Sequence, residues 1–158
     1  MNPSYRDRKE GARALIPELQ ALSHDRDLIV LGLPRGGVPV AFEIAEALGA
    51  PLDVMVVRKL GAPGRPEFAL GAVASGGVRV MNPAVEGRVS DQEIDQVEQE
   101  ARRALEARER ALRGTSGGPD VRGKRVVLVD DGIATGSTMK AAVEAVRKLG
   151  AKEVVVAA

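Results

Sequence analysis

The segment VVLVDDGIATGST, from Val126 to Thr138, restricts the possible folds more than any other stretch of the chain. An unbroken run of four apolar residues is followed directly by two aspartates and then by a turn of glycine and hydroxyl residues. Fully apolar runs of this length are typical of strands buried on both faces, as in parallel sheets covered by helices. Ligands bind beyond the carboxyl ends of such strands, where loops lead into helix N-termini. The segment therefore predicts a ligand site at the edge of a parallel sheet.

The remainder of the chain alternates between strand and helix patterns. Apolar runs predict strands at 27–34, 51–60, 77–82, 126–129 and 152–158. Three- and four-residue apolar spacing predicts helices at 5–22, 36–50, 90–112 and 138–150, the first interrupted near Pro17. The glycine- and proline-rich stretch 61–77 predicts a mobile loop with a small strand in its later half. This alternation predicts an α/β fold with an open, mostly parallel twisted sheet flanked by helices.

Composition narrows the functional classes. The 158 residues, 44% of them hydrophobic, suffice for one domain over 1–158 and leave little room for a second. Lysine and arginine number 23 against 22 acidic residues, so neither nucleic acid nor a membrane surface is an expected partner. The absence of cysteine excludes disulfides and thiolate chemistry. No stretch approaches the roughly 20 apolar residues of a membrane span, and a cytoplasmic protein is expected.

The turn after the two aspartates has the features of a phosphate cradle. Backbone N–H groups, the hydroxyls of Thr135, Ser137 and Thr138, and the positive end of the next helix dipole converge there. Gly136 allows an anion to approach the backbone. A Walker loop does not fit, because only three residues separate Gly132 from Gly136 and no lysine follows. The dinucleotide fingerprint G-x-G-x-x-G is absent as well.

Asp130 and Asp131 indicate which molecule would carry the phosphate. Neighbouring carboxylates repel each other and stay ionised only where water, hydrogen-bond donors or cations compensate their charge. A sugar diol and a magnesium ion supply such partners, so a 5-phosphorylated ribose would place its hydroxyls on the aspartates and its phosphate in the turn. The alternative is a solvated strand-to-helix turn with Asp131 as a helix cap, which does not need both acids beside a hydroxyl-rich turn.

VVLVDDGIATGST resembles the phosphoribosyl-pyrophosphate signature of the type I phosphoribosyltransferases. LPRGG at 33–37 is similar to the pyrophosphate loop of that family, and VVRKLGAPGRPE at 56–67 resembles the strand that leads into its flexible catalytic loop. Gly132 departs from the pattern, because the family more often has an aliphatic residue there. The resemblance implies a central parallel sheet with a small or incomplete hood, and a non-proline cis peptide bond near Arg35.

The resemblance also implies a role for individual residues. Asp130 and Asp131 would bind the ribose hydroxyls, directly or through Mg²⁺ and water, and Asp131 would stabilise positive charge on the sugar. The residues that would hold the 5′-phosphate are Ala134, Thr135, Gly136, Ser137 and Thr138. Those that would hold the pyrophosphate are Arg35, Gly36 and Gly37, with added charge from Arg58 and Lys59 of the same chain or of the partner in a homodimer. The alternatives are a surface arginine at 35 and a solvated strand end at 58–59.

The implied reaction moves the phosphoribosyl group of phosphoribosyl pyrophosphate to a nitrogen nucleophile, with a nucleobase as the expected acceptor and Mg²⁺ as cofactor. Ala134 stands where members acting on 6-oxopurines have an aspartate, which argues against hypoxanthine and guanine. Glu67 is either a lid residue or a plain exposed acid, and Phe68 could stack on a ligand. The alternative function is a regulatory module that binds the donor without turnover, and retention of Arg35 and both aspartates favours the enzyme.

Overall fold

A parallel four-stranded sheet forms the centre of the computed structural model, which describes residues 6–85, 87–115, 117–132 and 137–158. The helices are α1 (Arg8–Leu19), α2 (Gly37–Leu48), α3 (Asp91–Arg113) and α4 (Ser137–Lys148). The strands are β1 (Leu28–Gly32), β2 (Leu52–Val54), β3 (Val57–Ala62), β4 (Arg65–Ala74), β5 (Val78–Met81), β6 (Arg125–Val129) and β7 (Glu153–Ala157). The predicted fold class, an open parallel sheet flanked by helices, is confirmed.

The parallel sheet reverses its strand order between β1 and β6. Its order is β2-β1-β6-β7, so the chain first extends the sheet on one side of β1 and later builds it on the other side. β1 and β6 pair in register from Leu28 opposite Arg125 to Gly32 opposite Val129. In open α/β sheets the crevice at the carboxyl ends of the two strands that flank such a reversal is the usual ligand site. The residues that follow Gly32 and Val129 therefore lie where a ligand is expected.

Helices cover both faces of the sheet, because the side chains of β1 and β6 alternate between the two faces. The residues that pack against α1 and α2 are Leu28, Val30, Val127 and Val129. Those that pack against α4 are Ile29, Leu31, Val126 and Leu128. None of these eight residues is more than 5% exposed. The continuous apolar runs in the sequence thus reflect burial on both faces.

A second sheet, antiparallel with order β3-β4-β5, corrects two predictions. The single strand predicted at 51–60 is two strands, because the chain leaves the parallel sheet after Val54 and Val57 pairs with Ala74 of β4. The loop predicted at 61–77 is mostly β4, which forms a hairpin with β3. The glycines that suggested a loop lie at the hairpin turn, Gly64, and beside a shift in register, Gly71. The glycine and proline content of this stretch therefore indicated the turn and the irregular pairing, but it did not indicate the strand.

The long helix α3 packs on the antiparallel sheet through an apolar stripe along one face. The helix begins with a capping box, in which the Ser90 hydroxyl accepts from Glu93 N–H and the Glu93 carboxylate accepts from Ser90 N–H. The stripe residues are Ile94, Val97, Ala101 and Leu105, in one cluster with Leu60, Leu70 and Val73 of the hairpin. The helix therefore stabilises the hairpin through apolar burial.

Of the first two helices, α1 is shorter than its predicted range of 5–22, and α2 is close to its predicted range of 36–50. α1 continues through Pro17, which lies in its last turn, where the missing proline N–H removes only one backbone hydrogen bond. α2 ends at Gly49, which is in the left-handed conformation with a φ of 63°. Within the ranges described above, no helix is long and apolar enough to cross a membrane.

Glu98 links α3 to β5 through two arginines. Its Oε1 accepts a hydrogen bond from Arg102 Nη2 at 2.7 Å, and its Oε2 accepts one from Arg79 Nη1 at 2.9 Å. Burial raises the pKa of Glu98, but the hydrogen bonds and charges of the two arginines outweigh this effect and hold the pKa below its ordinary value of 4.5. The stabilisation is therefore present in full above the unfolded-state pKa and is lost as the pH falls through the lower native-state pKa.

We expect Glu98→Gln to lower the free energy of unfolding at pH 7 by about 1 kcal/mol, because charge-assisted hydrogen bonds are replaced by weaker neutral ones. The difference from the wild type should shrink when the pH is lowered below 4.5. Urea unfolding of both proteins at neutral and acid pH measures this difference. Glu100→Gln, an exposed position on the same helix, is the control. A difference that does not depend on pH would contradict the assignment.

Candidate functional site

The loop at 33–37 and the aspartates at 130–131 meet where the strand order reverses. Leu33 N–H donates to the Val129 carbonyl at 2.9 Å, which joins the loop after β1 to the end of β6. Asp130 N–H donates to the Ala157 carbonyl at 3.1 Å, which joins the acidic pair to the end of β7. Parallel pairing thus brings together two segments that are distant in the sequence.

Gly36 and Gly37 allow α2 to begin directly against the end of β6. A Cβ at position 37 would lie 2.3 Å from the Val129 carbonyl oxygen and 3.0 Å from Asp130 Cα. A Cβ at position 36 would lie 1.9 Å from Asp131 Oδ2. Any other residue at position 37 would therefore push two backbone segments apart, whereas a side chain at position 36 would displace only a carboxylate.

The loop between β1 and α2 contains the expected non-proline cis peptide bond, between Pro34 and Arg35. Gly37 N–H donates to the Leu33 carbonyl at 2.9 Å, and Val38 N–H donates to the Arg35 carbonyl at 3.4 Å. Two amides of the first turn of α2 are therefore engaged within the loop itself. The Arg35 side chain is exposed. Of the groups predicted to hold pyrophosphate here, the Gly37 amide is thus already engaged, whereas the Arg35 side chain is accessible to a ligand.

Asp130 and Asp131 have different surroundings. Burial raises the pKa of Asp130, the hydrogen bond from Asp131 N–H to Asp130 Oδ1 at 2.8 Å opposes this, and the neighbouring Asp131 carboxylate raises the pKa further. The Asp131 side chain is 40% exposed, and its Oδ2 accepts from Nε and Nη2 of Arg8, both at 3.4 Å. Cations and hydroxyl donors would relieve the repulsion between these carboxylates.

The donor set at this pair fits a magnesium ion that arrives together with a ligand. Mg²⁺ favours carboxylate oxygens and usually completes its octahedral shell with waters and phosphate oxygens of a substrate. In the part of the chain that the structure describes, no group of three or more side chains is arranged to hold a metal ion. Asp130 and Asp131 would therefore hold Mg²⁺ only in part, with the remaining ligands supplied by water and the bound molecule.

The predicted phosphate turn is described only in its second part. Ser137 and Thr138 form the start of α4, so the positive end of that helix lies at the carboxyl edge of the sheet. Ala134, Thr135 and Gly136 lie outside the described residues. The predicted roles of these three residues remain predictions.

Arg58 and Lys59 line different cavities, because successive side chains of a strand point to opposite faces. Arg58 lies in a cavity of about 160 Å³ together with Leu33 and Pro34 of the loop after β1 and with Thr138. Lys59 lies in a cavity of about 230 Å³ between the antiparallel sheet and the first turns of α4. Of the two basic residues, Arg58 is therefore the one that shares a cavity with the predicted pyrophosphate loop.

Two arginines that no motif singled out also lie at this edge of the sheet. Arg8, in the first turn of α1, contacts Asp131. Arg108 of α3 lines the same cavity as Arg58. The sequence carries no signal for Arg8. It does carry a signal for Arg108. This residue follows Ala104 by four positions and Leu105 by three, so helical spacing places its charge on the apolar stripe of α3.

The family model of the phosphoribosyl transferase domain matches residues 7–158. The chain therefore belongs to the phosphoribosyl transferase domain family. The crystal structure of TT1426 from Thermus thermophilus is 44% identical and superposes with a TM-score of 0.82 over 98% of this chain and 74% of that one. The purine phosphoribosyltransferase from Pyrococcus horikoshii is 23% identical, with a TM-score of 0.54 over 98% of this chain and 72% of that one, and shares the fold.

A curated relative in Mycobacterium tuberculosis (strain ATCC 25618 / H37Rv) is Rv0571c, whose name gives it provisionally as a phosphoribosyl transferase. It is 50% identical over 156 residues, which make up 97% of this chain but 35% of the relative. The chain thus spans about a third of the length of this relative.

We expect alanine at positions 36 and 37 to have different effects. Gly37→Ala should lower the free energy of unfolding by about 1–3 kcal/mol, because its methyl group would meet the Val129 carbonyl. Gly36→Ala should change stability by less than about 1 kcal/mol, because the carboxylate of Asp131 can rotate away. Denaturant unfolding measures the first effect, and a crystal structure of Gly36→Ala shows whether the contact between Asp131 and Arg8 is broken.

Gly132→Ala is the matched control, because a Cβ at that position meets no atom of the described residues within 4 Å. It should leave both the stability and the position of Asp131 unchanged. An Asp131 carboxylate that stays in place in Gly36→Ala would show that the two segments are not in contact.

Proposed function

We propose that the chain binds phosphoribosyl pyrophosphate with Mg²⁺ and transfers the phosphoribosyl group to a nitrogen nucleophile, releasing pyrophosphate. The observation that carries this proposal is the contact between the two motifs, in which Gly36 lies directly beneath the Asp131 carboxylate. A ligand that reaches from the loop at 33–37 to the acidic pair must present an anion at one end and hydroxyls at the other. Phosphoribosyl pyrophosphate has this arrangement.

Acidic, hydroxyl and basic residues would each bind a different part of the donor. Asp130 and Asp131 would bind the ribose 2′ and 3′ hydroxyls and favour the positive charge that develops on the sugar. The 5′-phosphate would be held by Ala134, Thr135, Gly136, Ser137 and Thr138, of which the last two lie at the start of α4. Arg35 and Arg58 would bind the pyrophosphate. When bound, Mg²⁺ would neutralise part of the charge of the leaving pyrophosphate.

The proposed reaction is a displacement at the anomeric carbon of the ribose. The bond from this carbon to the pyrophosphate oxygen breaks, and its electron pair leaves with the pyrophosphate. The lone pair of the acceptor nitrogen forms the new bond from the opposite face, and the proton of that nitrogen passes to solvent. The protein contributes fixed charges around a positively charged transition state, which is electrostatic preorganisation.

The acceptor is proposed to be a nucleobase other than hypoxanthine or guanine, because Ala134 replaces the aspartate of members that act on those bases. Phe42, on α2, and Phe68, on β4, are 53% and 41% exposed. Neither lies among the described residues that line the cavities of Arg58 and Lys59. An acceptor at this site would therefore be held by aliphatic and polar groups, with no aromatic stacking from these two residues.

We also propose that residues 1–158 form one domain and that the protein acts in the cytoplasm as a homodimer. Sedimentation velocity tests the dimer, and a protomer that stays monomeric at high concentration would remove that part of the proposal. If Arg35 and Arg58 of one protomer are sufficient to bind pyrophosphate, the site needs no residue from a partner chain.

We expect Asp130→Asn combined with Asp131→Asn to reduce the rate of pyrophosphate release by at least about a hundredfold, because the charges that stabilise the sugar cation are lost. Donor affinity should fall much less, since the phosphate and pyrophosphate contacts remain. Pyrophosphate release is measured with donor, Mg²⁺ and a panel of nucleobases, and donor affinity by calorimetry. Asp27→Asn, an exposed acid before β1 at the opposite edge of the sheet, is the control.

Three results separate the possible functions. Release of pyrophosphate with one base of the panel supports the transferase. Donor binding without release for any acceptor supports the regulatory module. A wild-type protein that does not bind the donor would contradict both functions.

A further inference from the structure

Arg108 occupies an unusual place for an arginine on a surface helix. It is half-buried, between the buried residues Leu105 and Glu109 of α3, and lines the cavity of about 160 Å³ beside Leu33 and Pro34. Arg108 therefore borders a cavity that two residues of the predicted pyrophosphate loop also line.

The charges around this cavity are not balanced. Other inward-facing arginines of α3 have carboxylate partners, since Arg102 pairs with Glu98 at 2.7 Å and Arg113 with Asp53 at 2.6 Å. Neither Arg108 nor Arg58 forms an ion pair with any residue that the structure describes. The described lining of the cavity contains these two guanidinium groups and no carboxylate. Arg58 is exposed, whereas Arg108 is partly buried. A partly buried charge without a partner is costly, and an anion beside Arg108 would reduce that cost.

The position of Arg108 is held from both sides along the helix. Leu105, 4% exposed, packs into the apolar cluster of the hairpin. Beyond Arg108, the Glu109 carboxylate accepts from Gly117 N–H at 2.8 Å, and Arg113 forms two hydrogen bonds with Asp53 of β2. These contacts fix the end of α3 against the parallel sheet. Because the backbone at Arg108 is held in this way, only the freedom of its side chain is lost when it binds a phosphate group.

We infer that Arg108 is a binding residue for the pyrophosphate group, which it would contact opposite the loop at 33–37 and beside Arg58. The inference rests on the proposed function, because it assigns a further residue to the site of the leaving group. The planar fork of arginine donates two parallel hydrogen bonds to phosphate oxygens, which lysine cannot do. Two guanidinium groups from different elements, β3 and α3, would then enclose the diphosphate from two sides.

The test compares two fragments of the donor, each titrated calorimetrically in the presence of Mg²⁺. Inorganic pyrophosphate probes the leaving-group site, and ribose 5-phosphate probes the start of α4 and the acidic pair. Arg108→Gln should weaken pyrophosphate binding by about tenfold or more and change ribose 5-phosphate binding by less than about twofold. Arg108→Lys should weaken pyrophosphate binding by a smaller factor, because the charge remains and the fork is lost.

Arg103→Gln is the matched control, because Arg103 is an exposed arginine of the same helix that lines a different cavity. It removes the same charge and should leave both affinities unchanged. Circular dichroism checks that each variant is folded, and Arg108→Lys provides the comparison if Arg108→Gln does not fold.

Three results would overturn the inference. Unchanged pyrophosphate affinity in both Arg108 variants would remove Arg108 from the site while leaving the proposed function intact. Equal weakening of both probes would mean that the charge acts at a distance and that no contact exists. A wild-type protein that binds neither fragment would contradict the proposed function, and this inference with it.

Discussion

The close approach of α2 to the end of β6 is the contact on which the site depends. Gly37 brings the backbone of the helix to the Val129 carbonyl, and Gly36 leaves room for the Asp131 carboxylate above it. A side chain at position 37 would separate the two segments, and the acidic pair would then lie farther from the loop at 33–37. Because β1 and β6 flank the reversal of strand order, this contact lies in the crevice that open α/β sheets offer to ligands.

The second layer of the molecule places positive charge over the same edge. The hairpin of β3 and β4 carries Arg58, and α3, which packs on that hairpin, carries Arg108. Arg113 connects the end of α3 to Asp53 of β2, so the antiparallel layer is tied to the parallel sheet by charged hydrogen bonds as well as by apolar packing. Carboxylates on one side and guanidinium groups on the other suit a ligand that carries hydroxyl groups and an anionic group at different positions.

Much of this arrangement could be predicted from the sequence, because strong local patterns specify it. Buried parallel strands produce apolar runs, and the acidic pair with its hydroxyl-rich turn marks the end of β6. The hairpin was missed because its glycines obscured the alternation of apolar and polar residues in β4. The splitting of 51–60 into two strands depends on which strands pair, and a local sequence pattern does not contain that information. The contact of Arg8 with Asp131 depends on how α1 packs, which no motif encodes. Arg108 was visible as a charge on an apolar stripe, but only the fold shows which cavity it lines.

The central claim is that one pocket holds an activated ribose by both ends, with acids on its hydroxyls and the loop at 33–37 on its pyrophosphate. A crystal structure of the protein with phosphoribosyl pyrophosphate and Mg²⁺ tests this claim most directly. The account predicts the ribose diol at Asp130 and Asp131, and the pyrophosphate between Arg35 and Arg58, with the contact between Arg8 and Asp131 replaced by ligand. A donor bound elsewhere, or carboxylates that point away from the sugar, would contradict it.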